Sequence, residues 1–263
     1  MKTLRLLPFI AAIALNACGA PSSGSAPMPA AYNAILRPEL NFKKFKWVSS
    51  TGAAGQTATV KCPSGYRLAG GASSSVDGSP VGIGWAKPST NTWYVQPGGK
   101  SVQAIAIASC VGKSVSKSAF KWLLHPSGGG VSSVQCPKGY VLVSGYAKIT
   151  AKGQQIAQTY VQNGNAFFVK GGANAGASCG RGASGVATFT KWNTSQEPKQ
   201  VYSPCATGFS VIGGNTGSSQ WPGPPVQQHR GTSTPGVVGS AGWWVFSNGK
   251  NVVSYAVCVP NGT

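Results

Sequence analysis

Apolar and β-branched residues recur along this chain in runs of about five to eight, separated by clusters of Gly, Ser, Asn and Pro, a pattern that predicts short strands joined by turns. Ala104 to Cys110 and Val252 to Cys258 are two such runs, each ending in a cysteine. Helical periodicity is absent from Cys18 onward. The 37 glycines and 18 prolines could signal disorder, but eight Trp, eight Tyr and nine Phe supply the apolar surface that disordered chains lack. The fold class predicted is all-β.

The runs are ordered into three copies of one unit. Cys62-Pro63-Ser64-Gly65-Tyr66, Cys136-Pro137-Lys138-Gly139-Tyr140 and Cys205-Ala206-Thr207-Gly208-Phe209 align, and each leads into an apolar stretch that ends in glycine. Upstream of each stands an aromatic pair: Phe45 with Trp47, Phe120 with Trp122, Phe189 with Trp192. Downstream comes a second cluster, Trp93-Tyr94-Val95, Phe167-Phe168-Val169 or Trp243-Trp244-Val245, and then a small-residue strand closing on cysteine. Aromatics that recur at one place in every unit are predicted to be core. Repeats this small bury too little alone, and the joins between them are short. The expectation is one body resembling a β-prism, with three tandem small β-sandwiches as the alternative.

The repeat assigns the cysteines. Apart from Cys18, six remain, and fifteen pairings are open to six cysteines in general. Two per unit predicts Cys62 with Cys110, Cys136 with Cys179 and Cys205 with Cys258. Each closes a loop of roughly 40 to 55 residues, for which chain entropy assigns roughly 4 kcal/mol. Zinc does not fit: there is no Cys-x-x-Cys, and neither His125 nor His229 has a second ligand nearby in sequence. No cofactor is expected.

The N-terminus reads as an export signal. Lys2 and Arg5 precede an apolar run, Leu6 to Leu15, too short to span a bilayer but suited to a signal-peptide core. The next residues, Leu15-Asn16-Ala17-Cys18, resemble the lipobox of bacterial lipoproteins. That resemblance implies cleavage before Cys18, lipidation of Cys18 and attachment to a membrane through the lipid. Gly19, where an aspartate would imply inner-membrane retention, implies an outer-membrane lipoprotein on its periplasmic or surface-exposed face. An oxidising compartment also suits the paired cysteines. The predicted organisation is a signal peptide (1–17), a lipidated flexible tether (18–44) and β repeats over 45–118, 119–187 and 188–263.

Charge points to a partner. The formal net charge is +19, of which +17 remains without Lys2 and Arg5, and the only acidic residues are Glu39, Asp77 and Glu197. The basic residues are spread along the chain, with Lys43, Lys44 and Lys46 the only tight cluster. Such a surface attracts polyanions at long range. Lipopolysaccharide, anionic lipid headgroups, acidic polysaccharide and released nucleic acid all qualify, the last least favoured.

Threefold repetition fails at one place. From cysteine to second aromatic cluster, units one and two have the same length, but unit three is longer. The excess contains Gln220-Trp221-Pro222-Gly223-Pro224-Pro225 and then Gln227, Gln228, His229 and Arg230, and it predicts a surface loop. Loops carry function more often than scaffolds do. Trp221, His229 and Arg230, with Lys43, Lys44 and Lys46, are therefore the candidate ligand-binding residues. Catalysis is not expected: Asp77 and Glu197 fall in different units, and no Gly-x-Ser-x-Gly elbow, phosphate loop or dinucleotide fingerprint is present. The function expected is a non-catalytic surface lipoprotein or adhesin binding an anionic glycan or another polyanion. The alternative is a structural lipoprotein docking on other envelope proteins in a secretion, conjugation or surface-appendage assembly.

Overall fold

The cysteine repeat is a repeat of six strands. The structure, a computed structural model, describes residues 40, 42–76, 81, 84–127, 130–150, 158–162, 165–181, 184–191, 199–217, 228–232, 242–247 and 251–261. Unit one comprises β1 (Phe45–Thr51), β2 (Ala58–Lys61), β3 (Tyr66–Ser75), β4 (Trp85–Lys87), β5 (Thr92–Val95) and β6 (Ala104–Gly112). Unit two comprises β7 (Phe120–His125), β8 (Val131–Gln135), β9 (Tyr140–Lys148), β10 (Gln158–Gln162), β11 (Ala166–Lys170) and β12 (Asn174–Arg181). Unit three comprises β13 (Ser184–Lys191), β14 (Lys199–Pro204), β15 (Phe209–Gly217), β16 (Gln228–Thr232), β17 (Gly242–Ser247) and β18 (Asn251–Pro260). In each unit the first, sixth and third strands form one antiparallel sheet (β1-β6-β3, β7-β12-β9, β13-β18-β15). The second, fifth and fourth form the other (β2-β5-β4, β8-β11-β10, β14-β17-β16).

Local chemistry fixes the joint between the sheets. The cysteine after each second strand bonds to a cysteine on the sixth strand: Cys62 to Cys110, Cys136 to Cys179 and Cys205 to Cys258, with Cα separations of 5.7, 5.6 and 5.8 Å. A tight turn follows, in which the amide of Tyr66, Tyr140 or Phe209 donates to the carbonyl of Pro63, Pro137 or Ala206. Its glycine, Gly65, Gly139 or Gly208, sits at φ +83°, where a side chain is disfavoured. Unit three makes the same turn without proline, so the glycine is the requirement.

Between its two sheets each unit buries one aromatic ring of the fifth strand: Trp93, Phe167 or Trp243, all at most 1% exposed. The ring lies against a glycine of the third strand, Gly71, Gly145 or Gly214, whose missing Cβ leaves the space it occupies. The sixth strand opposes it with small residues, such as Ala104, Ala106 and Ala108 in unit one, which let the sheets approach.

The third strand carries a β-bulge in every unit, next to those glycines. The register passes over one residue each time: Ala69, Val143 and Ile212. These three extra residues meet in one buried cluster with Phe45, Val111, Val257 and Val259. Bulges bend a strand and sharpen its twist, and here they bring β3, β9 and β15 together. Hydrogen bonds close the ring. Ser144 Oγ of unit two donates to Gly71 O of unit one at 3.0 Å, and Ser178 Oγ donates to Ala69 O. Asn215 of unit three accepts from the Gly145 amide and donates to Leu142 O. Trp47 of unit one donates through Nε1 to Val211 O of unit three at 3.3 Å. Cyclic packing repeats the pattern, with the fourth strand of each unit against the third strand of the next: β4 on β9, β10 on β15, β16 on β3.

Each unit thus carries two small sheets around a core that its neighbours complete. Tyr146 and Trp122 of unit two pack into the core of unit one, and Ala72, Trp47 and Ile107 of unit one into that of unit three. Two predicted boundaries move. Leu40, assigned to the tether, is 1% exposed in the central cluster, and 42–44 form a 3-10 turn packed on β15, so the folded body starts earlier than residue 45. Units one and two offer Phe45 and Phe120 to that cluster, edge to face at 6.1 Å. Leu40 adds a further apolar side chain there. Unit three starts at Ser184 rather than 188, because the aromatic that marks it, Phe189, lies late in its strand.

Candidate functional site

Strand register sorts the charged residues. The end of each unit that carries the Cys-x-x-Gly-aromatic turn also carries the start of the first strand and the end of the sixth, since Phe45 pairs with Val111 and Tyr66 with Gly112. At this turn end Lys43 and Lys46 are exposed and Lys44 is half-buried, flanking Phe45. Lys61 and Lys87 both pair with Thr92 at the same end of the second sheet, and both are exposed. Lys113 follows the last residue of β6, its amide donating to Gly65 O. Arg67 reaches across to the Val115 carbonyl.

Unit two repeats the placement. Lys117 precedes β7, Lys121 pairs with Cys179, Lys138 lies in the turn and Arg181 ends β12, all exposed. Lys121 Nζ stands 4.8 Å from the centre of the Tyr140 ring, a cation–π contact. The Phe45–Phe120 contact joins the two units' turn ends, so lysines scattered in sequence share one end of the body. Unit three's turn end has no charged residue among the described positions. Among the described residues the opposite strand ends carry fewer: Lys100 between β5 and β6, Lys148, Lys170, Lys191 and Lys199.

Of the candidate residues, Lys43 and Lys44, expected in the tether, therefore join Lys46 in a larger basic end. Aligning the repeats would have shown it, because Lys61, Lys113, Lys138 and Arg181 all flank a cysteine turn or the strand end beside it. His229 and Arg230 were expected in a loop; they lie in β16, paired with Val245 and Trp244. The physical reason is that β17 needs the same two neighbours as β5 and β11, and Gln228–Thr232 supplies the second. The strand sits at a sheet edge against β3 of unit one, not among the Lys43 cluster. Trp221, Trp192 and Cys18 lie outside the described residues, as do Glu39, Asp77 and Glu197.

The predicted core aromatics split by position. Trp93 and Trp243 are buried, whereas Trp47 and Trp122 are half-buried and pack between units. The Tyr146 hydroxyl, which donates to Leu123 O at 3.2 Å beside Trp93 and Trp122, is pushed up to about 12 by burial. Among the described residues no group of three or more His, Cys, Asp and Glu side chains comes together, and no helix is long and apolar enough to cross a membrane.

Fold and site define a class: a disulfide-stapled all-β body of three six-strand repeats with one strongly basic end. No family model and no curated protein matches the chain.

Proposed function

We propose that this protein is an exported lipoprotein, cleaved before Cys18 and anchored through it, whose folded body binds an anionic envelope or extracellular polymer without catalysis. The observation that carries the reading is the charge: +19 overall against three acidic residues, with the described Lys and Arg concentrated at one end. Each contact that releases a counterion adds a salt-dependent increment of affinity, so binding is expected to weaken steeply with salt. The three disulfides support an oxidising compartment.

Two tests follow. Intact mass of the processed protein should show lipid on Cys18, and Cys18→Ser should abolish detergent partitioning. Replacing Lys43, Lys44 and Lys46 with Gln should weaken binding to heparin, lipopolysaccharide and acidic polysaccharide alike. Trp221→Ala with Arg230→Ala, in the segment where the repetition fails, should lose selectivity among them and spare generic binding. If the unlipidated protein binds no polyanion at physiological salt and instead retains one stoichiometric envelope protein, the role is that of an assembly component.

A further inference from the structure

We infer that the basic turn end is a membrane-facing surface, which docks on the anionic phospholipid headgroups of the bilayer that holds the anchor; this rests on the lipoprotein reading. Two independent observations coincide at that end. One is the sorting of lysines by strand register, with exposed Lys46, Lys61, Lys87, Lys113 and Lys138 gathered on it. The other is where the chain enters the body. Leu40 is buried in the central cluster beside Phe45, so the segment leading from Cys18 arrives at the turn end and not at the opposite one.

The chemistry favours a headgroup layer over a single ligand. The lysines are spread over two units and stand, exposed, on strand ends and turns. That is the geometry of a face that meets a plane of charge. The acyl chains on Cys18 hold the protein to the bilayer by themselves, so a basic face beside them sets how the body lies on the membrane rather than whether it stays there. Near an anionic surface each Lys contributes about 1 kcal/mol, which is about fivefold in partitioning. Docking at this end would also turn the opposite strand ends outward. Those ends flank the connection between β15 and β16, where Trp221 falls.

The test uses the mature chain with Cys18→Ser, so that acyl chains make no contribution, and vesicles of phosphatidylcholine with and without phosphatidylglycerol. The protein is expected to sediment with the phosphatidylglycerol vesicles only. A variant with Lys61, Lys87, Lys113 and Lys138 changed to Gln should lose about fivefold per lysine. A matched variant with Lys100, Lys148, Lys191 and Lys199 changed to Gln has the same net charge and should lose far less; equal melting temperatures and intact disulfides confirm that both fold. Equal losses in the two variants, or a larger loss in the second, would overturn the inference. Binding to heparin without preference for phosphatidylglycerol overturns it too, while leaving the polyanion reading in place. Binding to neither overturns both.

Discussion

Tyr146 shows how one residue ties stability to pH. In units one and three the corresponding third-strand positions are Ala72 and Asn215, so only unit two places a phenol there. Its ring is 3% exposed, edge-on to Trp93 at 6.3 Å, and desolvation of the phenolate raises its pKa from 10.0 to about 12. The folded state therefore keeps this proton where the unfolded chain has lost it. Its contribution is fully present below pH 10 and is lost as pH rises toward 12, at up to about 1.4 kcal/mol per pH unit. Tyr146→Phe should flatten the decline of stability with pH over that window in urea titrations, after the loss of its hydrogen bond to Leu123 has lowered the curve as a whole. Parallel curves for the variant and the wild type would place the alkaline weakness elsewhere.

At the scale of the strand, the pairing of glycine with aromatic is what holds the two sheets of a unit at their spacing. A methyl group at Gly71 would overlap the Trp93 ring, and that ring is held from below by its Nε1 donating to Ala72 O at 3.1 Å. It has nowhere to retreat. Gly71→Ala is expected to cost about 3 kcal/mol, the upper part of the range for overpacking, and to shift the tryptophan emission. Gly65→Ala is a matched contrast. Nothing lies within 4 Å of its added Cβ, and the cost comes only from φ +83°, about 1 to 2 kcal/mol with unchanged emission. Equal costs and equal spectra in thermal melts would show that the glycine does not set the sheet spacing.

The whole molecule unfolds as its contacts dictate. Every unit leans on the others through the bulge cluster and through Ser144, Ser178, Asn215 and Trp47. Removing one bridge by Cys205→Ala with Cys258→Ala should remove about 4 kcal/mol. In calorimetry that loss should appear as one transition moved to lower temperature, because units one and two cannot keep Trp47, Val143 and their part of the central cluster ordered without β15 and β18. A separate early transition with the remainder at its original temperature would mean three autonomous sandwiches.

Much of this was legible in the sequence because the signal is covalent or periodic. Two cysteines per repeat name the disulfides. Recurring Gly-aromatic turns name the units, and short β-branched runs between turn residues name the all-β class. The sequence also marks Trp93 and Trp243 as core, since a residue repeated at one site in every unit is serving the unit. What it does not carry is distance between units. Ala69, Val143 and Ile212 are unremarkable apolar residues until the register passes over them, and only then do they become the place where three units meet. His229 and Arg230 look like loop residues because polar and proline-rich neighbours surround them; a strand-pairing vacancy beside β17, visible only in three dimensions, claims them. The same holds for charge. Lysines separated by tens of residues are dispersed in one dimension, and strand register, which returns the chain to one end after every pair of strands, is what gathers them.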